Sequence, residues 1–197
     1  MISIRTRLTD GFLRGFDVVV SSVLIVAIIF PITVMLWPLF SFHGGSMIFK
    51  SQRIGKDGET FVLYKFRTMV LDAPVVSTDN LVDPARFLLP FGSLLRRYSV
   101  DELPQFWNVL KGDLGIVGPR PSLPTEHGLI SARRKYGVDR LTPGITGYAQ
   151  VNGRDAISMD QKVAFDLFFL NNRSIFLYLT ILAKTLVVVL SAKNVVH

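Results

Sequence analysis

The feature that most constrains this chain is a long stretch without a charged residue, from Val18 to Phe49. Its most apolar part, Val18 to Trp37, has about the 20 residues that a helix needs to cross a bilayer. The 197-residue chain has a mean hydropathy of +0.39 although 19% of its residues are charged, so its apolar residues are concentrated. The sequence therefore predicts a membrane-inserted segment. A cleaved signal peptide is the alternative, but the apolar run exceeds the usual signal core and no small-residue cleavage site follows closely.

Two prolines in this segment, and basic residues on both sides of it, indicate whether it crosses the membrane or turns back. Pro31 lies near its middle and Pro38 near its end, and proline removes a helical hydrogen bond and kinks the chain. Lysine and arginine favour the cytoplasmic side of a membrane. A helix broken at Pro31 that returns to the same leaflet keeps both flanks there. A kinked spanning helix is the alternative, because membrane helices tolerate proline. The flanking basic residues are Arg5, Arg7, Arg14, Lys50, Arg53, Lys56, Lys65 and Arg67.

The remaining pattern predicts a mainly α fold with a small β-hairpin (α+β), in three parts. These are a membrane-inserted helical hairpin (1–45), a compact cytosolic catalytic domain (46–173) and a C-terminal interfacial helix (174–197). The last is assigned to the membrane surface because a spanning helix would have to bury Lys184. Strand formers and helical spacing predict a hairpin strand over Phe61–Met69 and helices over Ser93–Arg97, Leu103–Leu110, Pro124–Tyr136 and Met159–Asn171.

Composition narrows the classes of partner. Lysine and arginine exceed aspartate and glutamate by 22 to 15, which gives a net charge of +7 and favours anionic lipid, nucleic acid or phosphorylated ligands. The chain has no cysteine, which excludes disulfides and thiolate metal ligands, and its three histidines are scattered. A metal would therefore be held by carboxylates.

Two adjacent carboxylates, Asp101 and Glu102, open a helical pattern. Because Pro104 suits the first turn of a helix, Asp101 is expected at or near the N-cap. An aspartate there faces free backbone N–H groups, which keep it ionised and attract phosphate, so it can serve as a nucleophile. The simpler interpretation is that Asp101 only caps the helix.

Nearby arginines favour the chemical interpretation. Arg96 and Arg97 precede the carboxylates within a turn, and Arg120 follows between two prolines in a rigid loop. Two carboxylates among arginines are what a site needs to bind a diphosphate together with Mg²⁺, which is usually held by one or two carboxylates plus substrate phosphates.

Six segments in order carry a resemblance to a known family. The chain resembles the small monotopic phosphoglycosyl transferases, bacterial sugar transferases that start exopolysaccharide, O-antigen and glycoprotein glycan assembly. The resemblance covers nearly the whole chain. Phe30 stands where the family often has serine before the proline, which removes a hydroxyl able to bond the freed carbonyl. The segments are Phe16–Asp17, Phe49–Gly55, Lys65–Met69, Asp101–Gln105, Gly118–Pro121 and Pro143–Arg154.

The resemblance implies a two-step reaction on the cytoplasmic face of the bacterial inner membrane. Asp101 would attack the β-phosphate of a UDP-sugar, UMP would leave, and polyprenyl (undecaprenyl) phosphate would then take the phosphosugar. Glu102 would be the Mg²⁺ ligand. The expected partners are these two substrates and anionic lipid but no nucleic acid, and a homodimer is left open. The expected substrate-binding residues are Lys65, Arg67, Arg96, Arg120, Gln150 and Arg154.

Each of these assignments has a rival. Lys65 and Arg67 could be the solvated face of a strand, and the glycine-rich Pro143–Arg154 stretch could be a tight turn. A membrane-anchored module that grips anionic lipid or nucleic acid explains the charge but leaves Asp101 and Glu102 without a role. A polytopic transferase without a covalent step normally needs several spanning helices. The sequence does not identify the sugar.

Overall fold

The computed structural model describes residues 4–74, 84–153 and 157–191 of the chain. It is mainly helical, as the sequence predicts, and has two small sheets. The helices are α1 (Ile4–Leu24), α2 (Phe30–Phe42), α3 (Gly92–Arg97), α4 (Gln105–Lys111), α5 (His127–Lys135), α6 (Tyr148–Val151), α7 (Met159–Asn171) and α8 (Ile175–Ser191). The strands are β1 (Ile48–Ile54), β2 (Thr60–Phe66), β3 (Gly115–Val117) and β4 (Gly144–Thr146).

The apolar segment forms one long helical stretch. A π-helical turn, Ile25–Ile29, joins α1 to α2, and the N–H of Phe30 donates to the carbonyl of Ile25. Asp10–Phe42 is the one helical stretch in the described ranges that is long and apolar enough to cross a membrane. The chain stays helical through Pro31, so the expected break is not observed as an interruption, although the wider π turn lies directly before the proline. The re-entrant path stays a prediction.

The predicted hairpin is confirmed and supplies one wall of a cavity. β1 pairs antiparallel with β2, with Phe49 opposite Lys65 and Arg53 opposite Phe61. A short 3₁₀ turn, Lys56–Gly58, connects the strands. Because side chains alternate across a strand, Phe49 and Arg53 lie on the same face.

The second sheet was not predicted. β3 and β4 are three residues each and pair in parallel, with Gly115 opposite Gly144 and Val117 opposite Thr146. Strands this short carry little periodic signal, so local patterns do not reveal them. The pairing places the segment of Gly115 and Gly118 beside the glycine-rich segment that begins at Pro143.

The predicted helices are confirmed within a few residues. α7 begins and ends where expected, because Ser158 and Gln161 form a capping box that fixes its start. α8 is confirmed as a helix, with Lys184 exposed on its surface. Its Tyr178 and Ile181 are buried in the protein core, while Phe176 and Leu190 are exposed. One face of α8 therefore packs on the domain and another presents apolar side chains.

The long N-terminal helix is attached to the domain by buried polar contacts. Asp17 accepts hydrogen bonds from the Tyr178 hydroxyl and from the N–H of Ile116, the latter at 3.3 Å. Arg14 donates to the carbonyls of Val109 and Leu110, at 2.6 and 3.2 Å, near the end of α4. The helix that carries the apolar run is thus bonded to α4, β3 and α8.

Asn108 ties α4 to the hairpin. Its side chain is fully buried, accepts from the N–H of Tyr64 at 3.1 Å and donates to the carbonyl of Val62 at 2.7 Å. It also donates to Asp113 at 3.0 Å. One side chain therefore satisfies two backbone groups of β2 and fixes the position of α4 relative to the hairpin.

Replacing Asn108 with alanine is expected to lower the free energy of unfolding by about 2–4 kcal/mol, because two backbone groups of β2 lose their partners. Denaturant unfolding of the detergent-solubilised protein measures this. The matched control is Asn172→Ala, an exposed asparagine bonded to the carbonyl of Phe168, which should cost less than about 1 kcal/mol. Equal losses in the two variants would contradict the tying role of Asn108.

Candidate active site

The two adjacent carboxylates lie in a tight turn between α3 and α4. Asp101 and Glu102 belong to a 3₁₀ turn, Val100–Glu102, which follows Ser99 in a left-handed conformation (φ 54°). Pro104, rather than Asp101, is the N-cap of α4. Asp101 was expected at or near the N-cap and lies three residues before it, because the turn at Ser99 starts a separate 3₁₀ segment before α4.

Three of the predicted basic residues lie around the carboxylates. The Nζ atom of Lys65 is 2.7 Å from Oε1 of Glu102 and 3.8 Å from Oδ2 of Asp101. A guanidinium nitrogen of Arg120 is 3.4 Å from the same Glu102 oxygen. Arg96 is half-buried and donates from Nε to the Thr68 hydroxyl at 3.0 Å. Residues distant in sequence thus form one cluster of opposite charges.

Asp101 is buried, with 7% of its surface exposed. Burial raises the pKa of its carboxyl above the ordinary value; the Lys65 ammonium lowers it, Glu102 raises it, and Arg96 and Arg120 lower it. The charge on Asp101 therefore depends on neighbouring cations rather than on a helix N-terminus. Lys65 has the largest influence of these.

A cavity of about 300 Å³ opens beside Asp101. Its cationic side chains outnumber its two carboxylates, so the described lining attracts anions. Arg53 was not predicted as a site residue, although the alternation of side chains along β1 places it on the same face as Phe49. Burial and the nearby Arg120 charge lower the pKa of Arg53 to about 10, while Glu126 and Glu102 raise it. The charged lining residues are Arg53, Lys65, Arg67, Arg96, Asp101, Arg120, Glu126, Arg133 and Lys162.

Arg67 and Gln150, both predicted ligands, also line the cavity. Arg67 is buried, donates to the carbonyl of Gly44, and keeps a buried Nε atom without a hydrogen-bond partner. The amide nitrogen and oxygen of Gln150 are likewise buried without partners. Arg154 lies outside the described residues. Unsatisfied buried polar atoms at a cavity are candidate ligand contacts.

Arg133 connects three segments of the chain at the cavity wall through buried hydrogen bonds. It is buried, and its Nε and NH2 atoms donate to Oδ2 of Asp166 at 2.9 and 2.7 Å. Its NH1 atom donates to the Arg120 carbonyl at 2.7 Å and to the Ser122 hydroxyl at 2.8 Å. Burial raises the pKa of Asp166, and the Arg133 charge lowers it. Arg133 therefore joins α5 and α7 to the loop that carries Arg120. Sequence patterns missed this role, because Arg133 is followed by Arg134 and Lys135, a run typical of a solvated helix face.

We expect Arg133→Met to lower the free energy of unfolding by about 3–5 kcal/mol, because Asp166 is left buried without its cation. Adding Asp166→Leu should restore part of that loss. The neighbouring Arg134→Met is the matched control; its side chain is 72% exposed and its 3.8 Å contact with Asp139 should contribute under about 1 kcal/mol. Denaturant unfolding of five proteins gives the comparison: the wild type, Arg133→Met, Asp166→Leu, the double variant and Arg134→Met. Purely additive losses in the double variant would contradict coupling between the buried pair.

The donor set at Asp101 and Glu102 suits Mg²⁺, which prefers oxygen ligands and is usually held by one or two carboxylates plus substrate phosphates. Within the described ranges no group of three or more histidine, cysteine, aspartate or glutamate side chains converges. A metal held here would therefore take its other ligands from substrate phosphates and water.

The described chain thus combines an apolar helix with a buried carboxylate in a cation-lined cavity. The model of a known family, described as bacterial sugar transferase, matches residues 9–192. This chain belongs to that family. Within it, the chain is an enzyme of the phosphoglycosyl transferase class.

Three relatives illustrate the match. An uncharacterized sugar transferase, EpsL, of Bacillus subtilis is 43% identical over 152 residues, which cover 77% of this chain and 74% of EpsL. Undecaprenyl-phosphate galactose phosphotransferase of Salmonella typhimurium is 37% identical over 192 residues, 90% of this chain and 40% of the relative. The exopolysaccharide production protein ExoY of Sinorhizobium fredii is 35% identical over 190 residues, 88% of this chain and 83% of ExoY. The chain thus spans most of two relatives and less than half of the third.

Proposed function

We propose that this protein transfers a sugar 1-phosphate from a UDP-sugar to polyprenyl phosphate and releases UMP, with Asp101 as the covalent nucleophile. The observation that carries the proposal is a buried carboxylate beside Lys65 in a cavity lined with cations. The name of the Salmonella relative supports the acceptor, since it is a phosphotransferase of undecaprenyl phosphate. The name of ExoY supports a role in exopolysaccharide synthesis, of which this transfer would be the first membrane step.

Two displacements at one phosphorus atom make up the proposed reaction. A carboxylate oxygen of Asp101 attacks the β-phosphorus of the UDP-sugar, the bond from that phosphorus to the bridging oxygen breaks, and UMP leaves. The sugar phosphate remains on Asp101 as an acyl phosphate. A phosphate oxygen of the polyprenyl phosphate then attacks the same phosphorus, the acyl phosphate bond breaks, and the carboxylate is restored. The product is a polyprenyl-diphosphate-sugar.

The basic residues stabilise charge in both steps. Lys65 and Arg96 lie beside Asp101, so they favour its ionised form and reduce repulsion between an anionic nucleophile and an anionic phosphate. Arg53 and Arg120 face the same cavity and repel each other, an arrangement that a bound diphosphate relieves. Mg²⁺ bound at Glu102 would neutralise further phosphate charge. Gln150 and Arg154 remain proposed contacts to the nucleotide.

We place the apolar helix in the inner membrane with both ends on the cytoplasmic side. Leu13 near its start and Phe40 near its end are both buried against the domain, in two separate core clusters. A straight helix between them would be about 40 Å long, about the width of a domain of this size. Because both ends of the apolar run pack on one domain, these contacts support placing both ends on the same side of the membrane. Exposed apolar residues on α8 support its seating at the membrane surface, where Lys184 can reach anionic head groups.

Labelling tests the topology, because the natural chain has no cysteine. Phe12→Cys and Ser46→Cys place thiols at exposed sites beside the two ends of the apolar run. A membrane-impermeant maleimide should label both in inverted membrane vesicles and neither in spheroplasts. Labelling of the two cysteines from opposite sides would instead indicate a spanning helix.

The test of the reaction is UMP release from a panel of UDP-sugars with undecaprenyl phosphate and Mg²⁺, together with mass analysis of the lipid product. We expect one or a few UDP-sugars to give UMP and a lipid one sugar phosphate heavier. The matched control is the corresponding free sugar 1-phosphate, which lacks the UMP leaving group. Release of UDP with transfer of the sugar alone would contradict the proposal, because the bond broken would then be the glycosidic one.

A further inference from the structure

The lining of the cavity divides into two groups that lie at opposite ends of the hairpin. Arg53 pairs with Phe61 near the turn, whereas Arg67 follows the last residue of β2 at the open end. Six residues of extended strand separate Phe61 from Arg67, which corresponds to about 20 Å. Lys65, which contacts Asp101, lies between these positions. The reacting carboxylate is therefore between the two ends.

The two ends differ in chemistry. Near Arg53 the lining includes the charged Arg120 and Glu126, and the N–H of Ile54 donates to the Ser122 carbonyl, with Pro121 and Leu123 beside them. Near Arg67 it is mostly apolar. The apolar lining residues there are Phe66, Met69, Val70, Leu71, Ala73 and Pro74. A nucleotide and a lipid would each favour a different end.

Arg67 is a buried cation without a protein counter-ion. It is 5% exposed, and among the described residues no carboxylate lies within salt-bridge distance of it. Its NH2 atom donates to the Gly44 carbonyl, while its Nε atom has no partner. A buried guanidinium of this kind is costly unless an anion joins it. Arg96, another cation of the lining, donates to the hydroxyl of Thr68, the residue after Arg67, and contacts the Met69 sulfur.

Arg67 also lies where the membrane helix ends. Its guanidinium carbon is 5.8 Å from the ring centre of Phe40 in α2, and Gly44 follows His43, the C-cap of that helix. The side chain of Leu71, 70% exposed, lies beside Gly45. An anion that reaches Arg67 from the bilayer would carry its attached group past these apolar side chains. Such surroundings suit the hydrocarbon chain of a lipid phosphate rather than a nucleotide.

We propose that Arg67 and Arg96 bind the phosphate of the polyprenyl acceptor, with Met69–Pro74 against its first carbon units, and that Arg53 and Arg120 bind the donor diphosphate. This assignment rests on the proposed function, since it divides that reaction's two substrates between the ends of one cavity. In each step the oxygen that leaves or attacks lies in line with the Asp101 oxygen across the phosphorus, so the acceptor oxygen takes the position that UMP has vacated. Separate phosphate sites at the two ends would keep the acceptor close to Asp101 without competing with the donor diphosphate for the same arginines.

Steady-state kinetics with undecaprenyl phosphate and the best UDP-sugar test the division. Arg67→Met should raise the KM for undecaprenyl phosphate by about 10- to 100-fold, the usual effect of losing a charge-assisted hydrogen bond, with the donor KM within about 2-fold. Arg53→Met is the matched variant at the other end and should show the reverse pattern. Leu71→Asp, at an exposed site that folding does not need, should also raise only the acceptor KM. Arg67→Lys should recover part of the loss.

Measurements of substrate binding test the division of the cavity independently of the proposed reaction. In the inactive Asp101→Ala background, undecaprenyl phosphate in micelles should raise the melting temperature, and Arg67→Met should remove that shift but keep the one caused by the UDP-sugar. If the wild type turns over but both arginine variants raise the two KM values alike, the division is wrong and the function stands. If the wild type releases no UMP but the two binding shifts separate as expected, the function is wrong and the division stands.

Discussion

Replacing Asp101 with alanine is expected to reduce UMP release by at least about 10³-fold, because the proposed nucleophile of the covalent step is lost. Intact-mass measurement of the wild type, incubated with the UDP-sugar and Mg²⁺ but no acceptor, should give an added mass of one sugar phosphate. The Asp101→Ala protein should give none. The melting temperature should stay the same or rise, because burial disfavours the charged form of this carboxyl.

The control is Asp160→Ala, which removes an exposed aspartate in the first turn of α7. It should leave both UMP release and the adduct unchanged within about 2-fold, since a surface substitution of this kind rarely alters stability by more than about 0.5 kcal/mol. Persistent turnover in Asp101→Ala with a normal melting temperature would exclude the covalent mechanism. The cavity could then act only by binding both substrates together.

Gly144→Ala is expected to lower the free energy of unfolding by at least about 3 kcal/mol. A Cβ atom at this position would lie 2.0 Å from the backbone nitrogen of Gly118 and 2.6 Å from the carbonyl carbon of Val117. The parallel strands would have to separate, which breaks bonds such as that from the Gly118 N–H to the Thr146 carbonyl, 2.8 Å. Because Gly118 begins the loop that carries Arg120, activity should fall with stability.

Gly128→Ala in α5 provides the comparison for that variant. Its Cβ would meet only the flexible Met159 side chain, with the sulfur at 3.3 Å, and alanine favours a helix over glycine by about 0.5–1 kcal/mol. Thermal unfolding should therefore give a strongly lowered midpoint for Gly144→Ala and an unchanged or raised one for Gly128→Ala. Similar midpoints would mean that the β3–β4 contact can relax at little cost.

Local signals in the sequence predict much of this fold. The start of α7 was predictable because Ser158 and Gln161 are a capping pair within four residues of each other. The hairpin was predictable from strand formers around a Gly–Lys–Asp–Gly turn. The position of Asp101 was predicted less well, since a left-handed Ser99 has no sequence signature, and α4 begins only at Gln105, with Pro104 as its N-cap.

The electrostatics of the site depend on distant parts of the chain. Arg133 is buried only because α7 brings Asp166 to it, and no pattern within α5 distinguishes it from the exposed Arg134. Lys65 reaches Asp101 because Asn108 bonds β2 to α4. The sequence thus points to several of the charged residues that meet at the cavity, while long-range packing determines the pKa of Asp101 and the shape of the cavity.

The bonds from Arg14 to the end of α4, and from Asp17 to β3 and α8, have a practical consequence for protein engineering. A water-soluble version cannot be made by deleting the apolar helix, because the deletion would uncover the domain's interior and remove those bonds. The workable design keeps the inward side of that helix and exchanges its exposed apolar side chains for polar ones. The first positions to redesign are Val19, Val23, Val26, Val34 and Met35, all at least 59% exposed.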